Sequence, residues 1–88
     1  MLMYFVYILW SPSAAMTYVG FSANPELRFL FHNQKATKGW TIRHRPWILV
    51  ESLPFQDKKQ AMEKEKYFKT GAGRDQIQRL LKAKGLKS

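Results

Sequence analysis

MYFVYILWSPSAAMTYVGF, residues 3–21, is the stretch on which the fold turns. Met3 to Trp10 is an unbroken run of aromatic, β-branched and aliphatic residues, the composition of a buried strand, and Ser11-Pro12-Ser13 ends it with turn formers. Thr17 to Phe21 reads as a second strand. The connection from Ser11 to Met16 is short enough for an antiparallel hairpin, although Ala14-Ala15 is not a standard tight-turn pair.

Downstream of the hairpin, Asn24-Pro25 marks a helix start. The Asn side chain can accept from free backbone N–H groups, and Pro at the first helical position gives up no intrahelical bond. The helix is expected from Pro25 to about Asn33, with Leu27, Leu30 and Phe31 on its apolar stripe and Arg28 and His32 four apart on a neighbouring one. A basic loop from Gln34 to Arg45 follows. Pro46 holds its predecessor extended ahead of a third strand, Trp47 to Leu53. Asp57 can cap a helix over 58–69, with Gly71 as its left-handed stop, and a last helix from Arg74 to about Lys84 carries Ile77, Leu80 and Leu81 on one side. This β-β-α-β-α-α order predicts an α+β fold, a small, mainly antiparallel three-stranded sheet flanked by helices.

At 88 residues there is room for one domain, expected over 1–84 with 85–88 as a short basic tail. Cysteine is absent, which excludes disulfides and Cys-based zinc sites and fits a reducing cytoplasm. No apolar run approaches the length of a bilayer-spanning helix, and the first residues lack the basic region of a signal peptide, so no membrane association is expected. Fifteen Lys and Arg against six Asp and Glu leave a formal charge of +9, a field that attracts polyanions, nucleic acid before all others.

Four kinds of residue are candidates for chemistry. Glu65 falls on one helical stripe with Ala61 and Phe68, which would place a carboxylate among core-facing residues, where it needs a cation, a metal ion or a proton. On spacing alone, a boundary Glu that reaches water or pairs with a Lys is the commoner case. Tyr7 and Tyr18 lie on the two hairpin strands, where cross-strand phenols can point to one spot, although packing alone also accounts for strand tyrosines. Arg28 matches phosphate geometry and His32 titrates near neutrality. His32 and His44 have no metal-binding spacing.

Taken together, Tyr4-Phe5-Val6-Tyr7-Ile8-Leu9 and Tyr18-Val19-Gly20 resemble the paired signature of the GIY-YIG nuclease domain, particularly its small stand-alone bacterial members. The resemblance continues through Arg28, His32-Asn33, Arg45-Pro46-Trp47, Ala61 with Glu65, and the ending Lys69-Thr70-Gly71-Ala72-Gly73-Arg74, which together span nearly the whole chain. Phe5 stands where the name-giving Gly would be. No Asn follows Asn33, so the polar Asn that larger members carry near the domain's end has no counterpart; Lys69, Arg74 or Asp75 would replace it, or activity would be weak or lost.

The resemblance implies a metal-dependent DNA endonuclease, in repair or recombination, with Tyr7, Tyr18, Arg28, His32 and Glu65 as catalytic residues. One weakly held Mg2+ or Mn2+ would sit on Glu65, its other positions filled by water and phosphate oxygen. Arg28 would complement charge developing on the phosphorus. Tyr7 would be the general base; its ordinary pKa is too high for that work, so either Arg28, the metal and the basic field lower it, or His32 accepts the proton. Lys35, Lys38, Arg43, His44, Arg45, Lys69 and Arg74 would contact nucleic acid, DNA before RNA, and Trp40 would either stack on a base or pack over the sheet. A partner protein would supply specificity, and the chain would be a monomer or weak dimer. The alternative is a nucleic-acid-binding module of the same fold that does no chemistry.

Overall fold

In the computed structural model, which describes residues 3–35 and 43–87, the opening hairpin forms: β1 (Tyr4–Ser11) and β2 (Met16–Ser22) pair antiparallel from Phe5↔Ser22 to Ser11↔Met16. The turn closes with Ala15 in the left-handed region, φ +53°. On its other side β1 pairs antiparallel with β3 (Ile48–Phe55), giving the sheet order β2-β1-β3. A register shift between Ile8 and Leu9, which pair with Glu51 and Leu49, leaves Val50 as the extra residue of a bulge. The Arg45–Pro46 peptide bond ahead of β3 is cis.

The central position of β1 explains its unbroken apolar run. A strand buried on both faces needs no polar alternation. Val6, Ile8 and Trp10 face one layer, where they pack with Val19, Val50, Ala61, Phe68, Ile77 and Leu81; Tyr7 and Leu9 face the other, with Trp47, Phe29, Tyr18 and Leu49. The first layer is roofed by α2 (Lys58–Phe68) and α3 (Gly71–Ala83), the second by α1 (Pro25–Leu30) and the π-helical turn Phe31–Lys35 that continues it. The architecture is the expected α+β, a three-stranded antiparallel sheet with helices. None of the described helices is long and apolar enough to cross a membrane.

The caps form where local chemistry placed them. Asn24 accepts from Leu27 N at 3.1 Å with Pro25 in the first turn, and Asp57 accepts from Lys59 N at 3.1 Å. Two expectations are corrected. Gly71 is not a left-handed stop: Thr70 caps α3, its Oγ1 accepting from Gly73 N at 3.2 Å and donating to Tyr67 O at 2.6 Å, so α3 begins at Gly71 rather than Arg74. Gly73 is required here, because a Cβ would collide with the carbonyl of Tyr67 and lie 2.6 Å from Phe68 Cα.

The second correction concerns α1. Its apolar stripe does not face the sheet: Leu27, Leu30 and Phe31 are exposed, at 51%, 40% and 38%, while Pro25 and His32 are buried and Phe29 packs inward. Pro25, Phe29 and His32 recur at four- and three-residue spacing, so the inward face is the neighbouring stripe, the one that carries Arg28 and His32.

Candidate active site

Tyr7 sits in the middle of β1, opposite Gly20 of β2, and is 1% exposed. Its ring lies across that glycine: a Cβ on residue 20 would be 2.5 Å from the Tyr7 hydroxyl oxygen and 3.2 Å from Tyr18 Cε1. Gly20 is therefore the gap through which the phenol reaches toward β2. An isolated glycine within a strand pattern is the sequence signal for such a close approach, and it went unread above. Tyr18, two residues earlier on β2, shares this face; its ring centroid is 6.2 Å from that of Tyr7, with the planes 30° apart.

His32 enters from the π-helical turn. It is 4% exposed, its Nε2 lies 3.3 Å from the Tyr7 hydroxyl oxygen, and its ring centroid is 4.6 Å from that of Tyr18. Such wide turns recur at functional sites, where an added residue redirects a side chain. Two further side chains fasten the turn. Asn33 grips the backbone of Trp47, Nδ2 donating to its carbonyl at 3.0 Å and Oδ1 accepting from its N–H at 2.6 Å, and Arg45 Nε donates to the His32 carbonyl at 2.6 Å. Neither role was legible locally, because each bond joins residues thirteen or fourteen apart.

Arg28 completes the cluster from α1, its guanidinium carbon 4.7 Å from the centre of the Phe31 ring and close enough to Tyr7 to act on its ionisation. Burial pushes the Tyr7 phenol up to about 12, helped by Tyr18, and the charge and hydrogen bonding of Arg28 offset this only in part. Of the two alternatives, lowering of Tyr7 or proton acceptance by His32, Arg28 acts in the direction of the first, but in the protein alone the net shift is upward. His32 moves the other way: burial lowers its pKa, with Arg28 and Arg45 adding to the effect, so at neutral pH it carries no charge. The cluster is a neutral phenol whose oxygen faces a neutral imidazole nitrogen, with a guanidinium alongside.

Glu65 comes from α2, in the opposite layer. Ala61 and Phe68 on its stripe are buried as expected, but Glu65 stays at the rim with its side chain 21% exposed, and Oε2 lies 3.8 Å from Lys69 Nζ. Of the two readings that the spacing left open, this is the boundary one: the long side chain reaches past the core and pairs with a Lys on the α2 surface. Lys69 in turn lines a cleft at the edge of β2 together with Tyr18. Among the described residues no three His, Asp or Glu side chains gather as a metal-binding group. A single accessible carboxylate fits a hard divalent cation that keeps water and substrate oxygens as its other ligands.

The expected nucleic-acid contacts divide. Arg43 is exposed, His44 packs edge-on against Trp47 with ring centroids 6.4 Å apart, and Arg45 is engaged with the His32 carbonyl. Lys69 and Arg74 line the cleft beside Tyr18. Lys38, Trp40 and the Lys35 side chain lie outside the described residues.

No curated protein matches the chain in a sequence search. Residues 3–78 match the family model described as the GIY-YIG catalytic domain, a stretch that includes every residue of the cluster, Glu65 and the cleft. The chain therefore belongs to the GIY-YIG catalytic domain family, a family of nucleases that act on phosphodiester bonds and generally need a divalent metal.

Proposed function

We propose that this protein is a metal-dependent endonuclease that hydrolyses phosphodiester bonds of DNA, with Tyr7, Tyr18, Arg28, His32 and Glu65 as its working residues. The observation that carries the reading is the Tyr7 hydroxyl facing His32 Nε2 at 3.3 Å inside a cluster that also holds Tyr18 and Arg28. Packing alone does not call for a buried histidine beside two tyrosines and an arginine.

A phenol with a pKa of about 12 is not ionised at neutral pH, so Tyr7 cannot wait as a phenolate. The neutral His32 supplies the remedy. As Tyr7 takes a proton from the attacking water it passes its own to Nε2, leaving His32 as an imidazolium that later returns the proton to solvent. Water oxygen bonds to phosphorus, the P–O3′ bond breaks, and the departing 3′-oxygen takes up a proton from water. Arg28 complements the charge that grows on the phosphoryl oxygens, and Tyr18, against the His32 ring, holds the imidazole in line. Glu65 would hold Mg2+ or Mn2+, which neutralises phosphate charge when bound.

The +9 charge and the absence of cysteine suit work on nucleic acid in the cytoplasm, in DNA repair or recombination. The test is cleavage of end-labelled single-stranded, duplex and branched DNA with and without Mn2+, comparing wild type with Glu65→Ala and Arg28→Ala. Metal-dependent cutting lost in both variants supports the reading. Binding without cutting of every substrate, equal in wild type and variants, leaves a binding module instead.

A further inference from the structure

The ending Lys69-Thr70-Gly71-Ala72-Gly73-Arg74 plays no part in the chemistry above, yet its geometry is tightly specified. Thr70 caps α3 and bonds back to Tyr67, and Gly73 is the only residue type that fits against the Tyr67 carbonyl. This corner turns the chain back within a few residues of the end of α2. Its result is that Lys69, the last residue before the turn, and Arg74, in the first turn of α3, stand on the same cleft of about 310 Å3, with Thr17, Tyr18, Val19 and Phe68 as its other walls.

We infer that this cleft is a phosphate subsite, which takes the backbone phosphate next to the scissile one and lays the nucleic-acid strand along the free edge of β2. This rests on the nuclease reading for its direction and on the cleft for its chemistry. Tyr18 borders both places, its ring against His32 and the residue itself among those that line the cleft, so a strand crossing the edge of β2 here would pass from the Lys69–Arg74 cleft to the tyrosine cluster. The two cations have different starting points. Lys69 is loosely paired with Glu65 at 3.8 Å, whereas no side chain among the described residues pairs with Arg74. A guanidinium matches a phosphate with two parallel hydrogen bonds, which a diffuse basic surface does not provide. Arg74 also borders a second cleft, of about 360 Å3, that runs past Thr17 toward Ala15 and Met16. The two hollows share Thr17 and Arg74 and so lie side by side along the edge.

The test is binding of a fluorescein-labelled DNA duplex in EDTA, followed by anisotropy over a salt series, for wild type, Arg74→Gln, Lys69→Gln and Lys59→Gln. Lys59 lies at the far end of α2 and removes the same charge away from the cleft. Arg74→Gln should weaken binding about tenfold and make log K against log salt shallower by roughly one unit, with Lys69→Gln in the same direction and Lys59→Gln close to wild type. In a second arm, one neutral methylphosphonate is moved along the strand. One position next to the cut should weaken wild type about tenfold and leave Arg74→Gln little changed. Equal losses from Arg74→Gln and Lys59→Gln, or the same methylphosphonate penalty in wild type and Arg74→Gln at every position, would overturn the subsite. Because binding is read without metal, a protein that never cuts but shows the Arg74 effect would refute the nuclease reading and keep the subsite.

Discussion

Gly20→Ala should destabilise the protein and disable the cluster, although alanine is the better residue for an ordinary extended backbone. The added Cβ would lie 2.5 Å from the Tyr7 hydroxyl oxygen, 2.7 Å from its Cζ and 3.2 Å from Tyr18 Cε1. Carbon contacts are comfortable at about 3.5–4.0 Å, so the Tyr7 ring must move by roughly 1 Å. It has little room to do so on the central strand at 1% exposure with His32 beyond it. Overpacking of this kind costs about 1–3 kcal/mol, or a fall in melting temperature of roughly 5–20 °C for a domain of this size. Without the clash, Gly→Ala would raise stability by about 0.4–1 kcal/mol, so the sign alone discriminates. Thermal unfolding of wild type, Gly20→Ala, Tyr7→Val and the double variant measures it. The penalty should nearly vanish once the ring is gone, a coupling of at least about 1 kcal/mol. A melting temperature for Gly20→Ala at or above that of wild type would refute the close approach.

Four other outcomes are expected. Tyr7 is raised from 10.0 to about 12 in the folded chain, so the unfolded chain ionises first as pH rises; stability present below pH 10 should be lost by about 2–3 kcal/mol toward pH 12, a loss absent in Tyr7→Phe when the two are compared by urea unfolding. His32 has a lowered pKa when folded, so the unfolded chain binds the proton first: stability and cleavage should hold above the ordinary histidine range and fall together as pH drops through it and below, read from a pH–rate profile beside urea unfolding. Asn33→Ala strands the Trp47 N–H and carbonyl and should cost about 2–3 kcal/mol, whereas Ala15→Gly relieves a φ of +53° and should gain up to about 1 kcal/mol, both measured by chemical denaturation.

What could be read from the chain was whatever is fixed over a few residues. Asn24-Pro25 and Asp57 announce helix starts because a cap needs only its own side chain and the next N–H groups. Tyr7 and Tyr18 meet because the hairpin register follows from the short Ser11–Met16 connection. Arg28 and His32 share a face because helical spacing requires it. The inward face of α1 was misread because a six-residue helix has too few positions for periodicity to choose a face, and the π-helical turn then alters the angular step. Gly71 looked like a stop because the cap of the next helix, Thr70, lay beside it. Glu65 could be read as a boundary residue, and it lies at the rim paired with Lys69, because a long side chain on a core-facing stripe can carry its carboxylate out to solvent. The grip of Asn33 on Trp47 joins distant parts of the chain, and no local pattern announces it.

Single-turnover cleavage of DNA in Mn2+ by wild type and Tyr7→Phe bears most directly on the proposed chemistry, since the two proteins differ by one oxygen atom in a buried ring. The account predicts that Tyr7→Phe folds with a melting temperature within a few degrees of wild type and cuts at least about a hundredfold more slowly, because the proton path from water to His32 is broken. Cutting by Tyr7→Phe at close to the wild-type rate would contradict it.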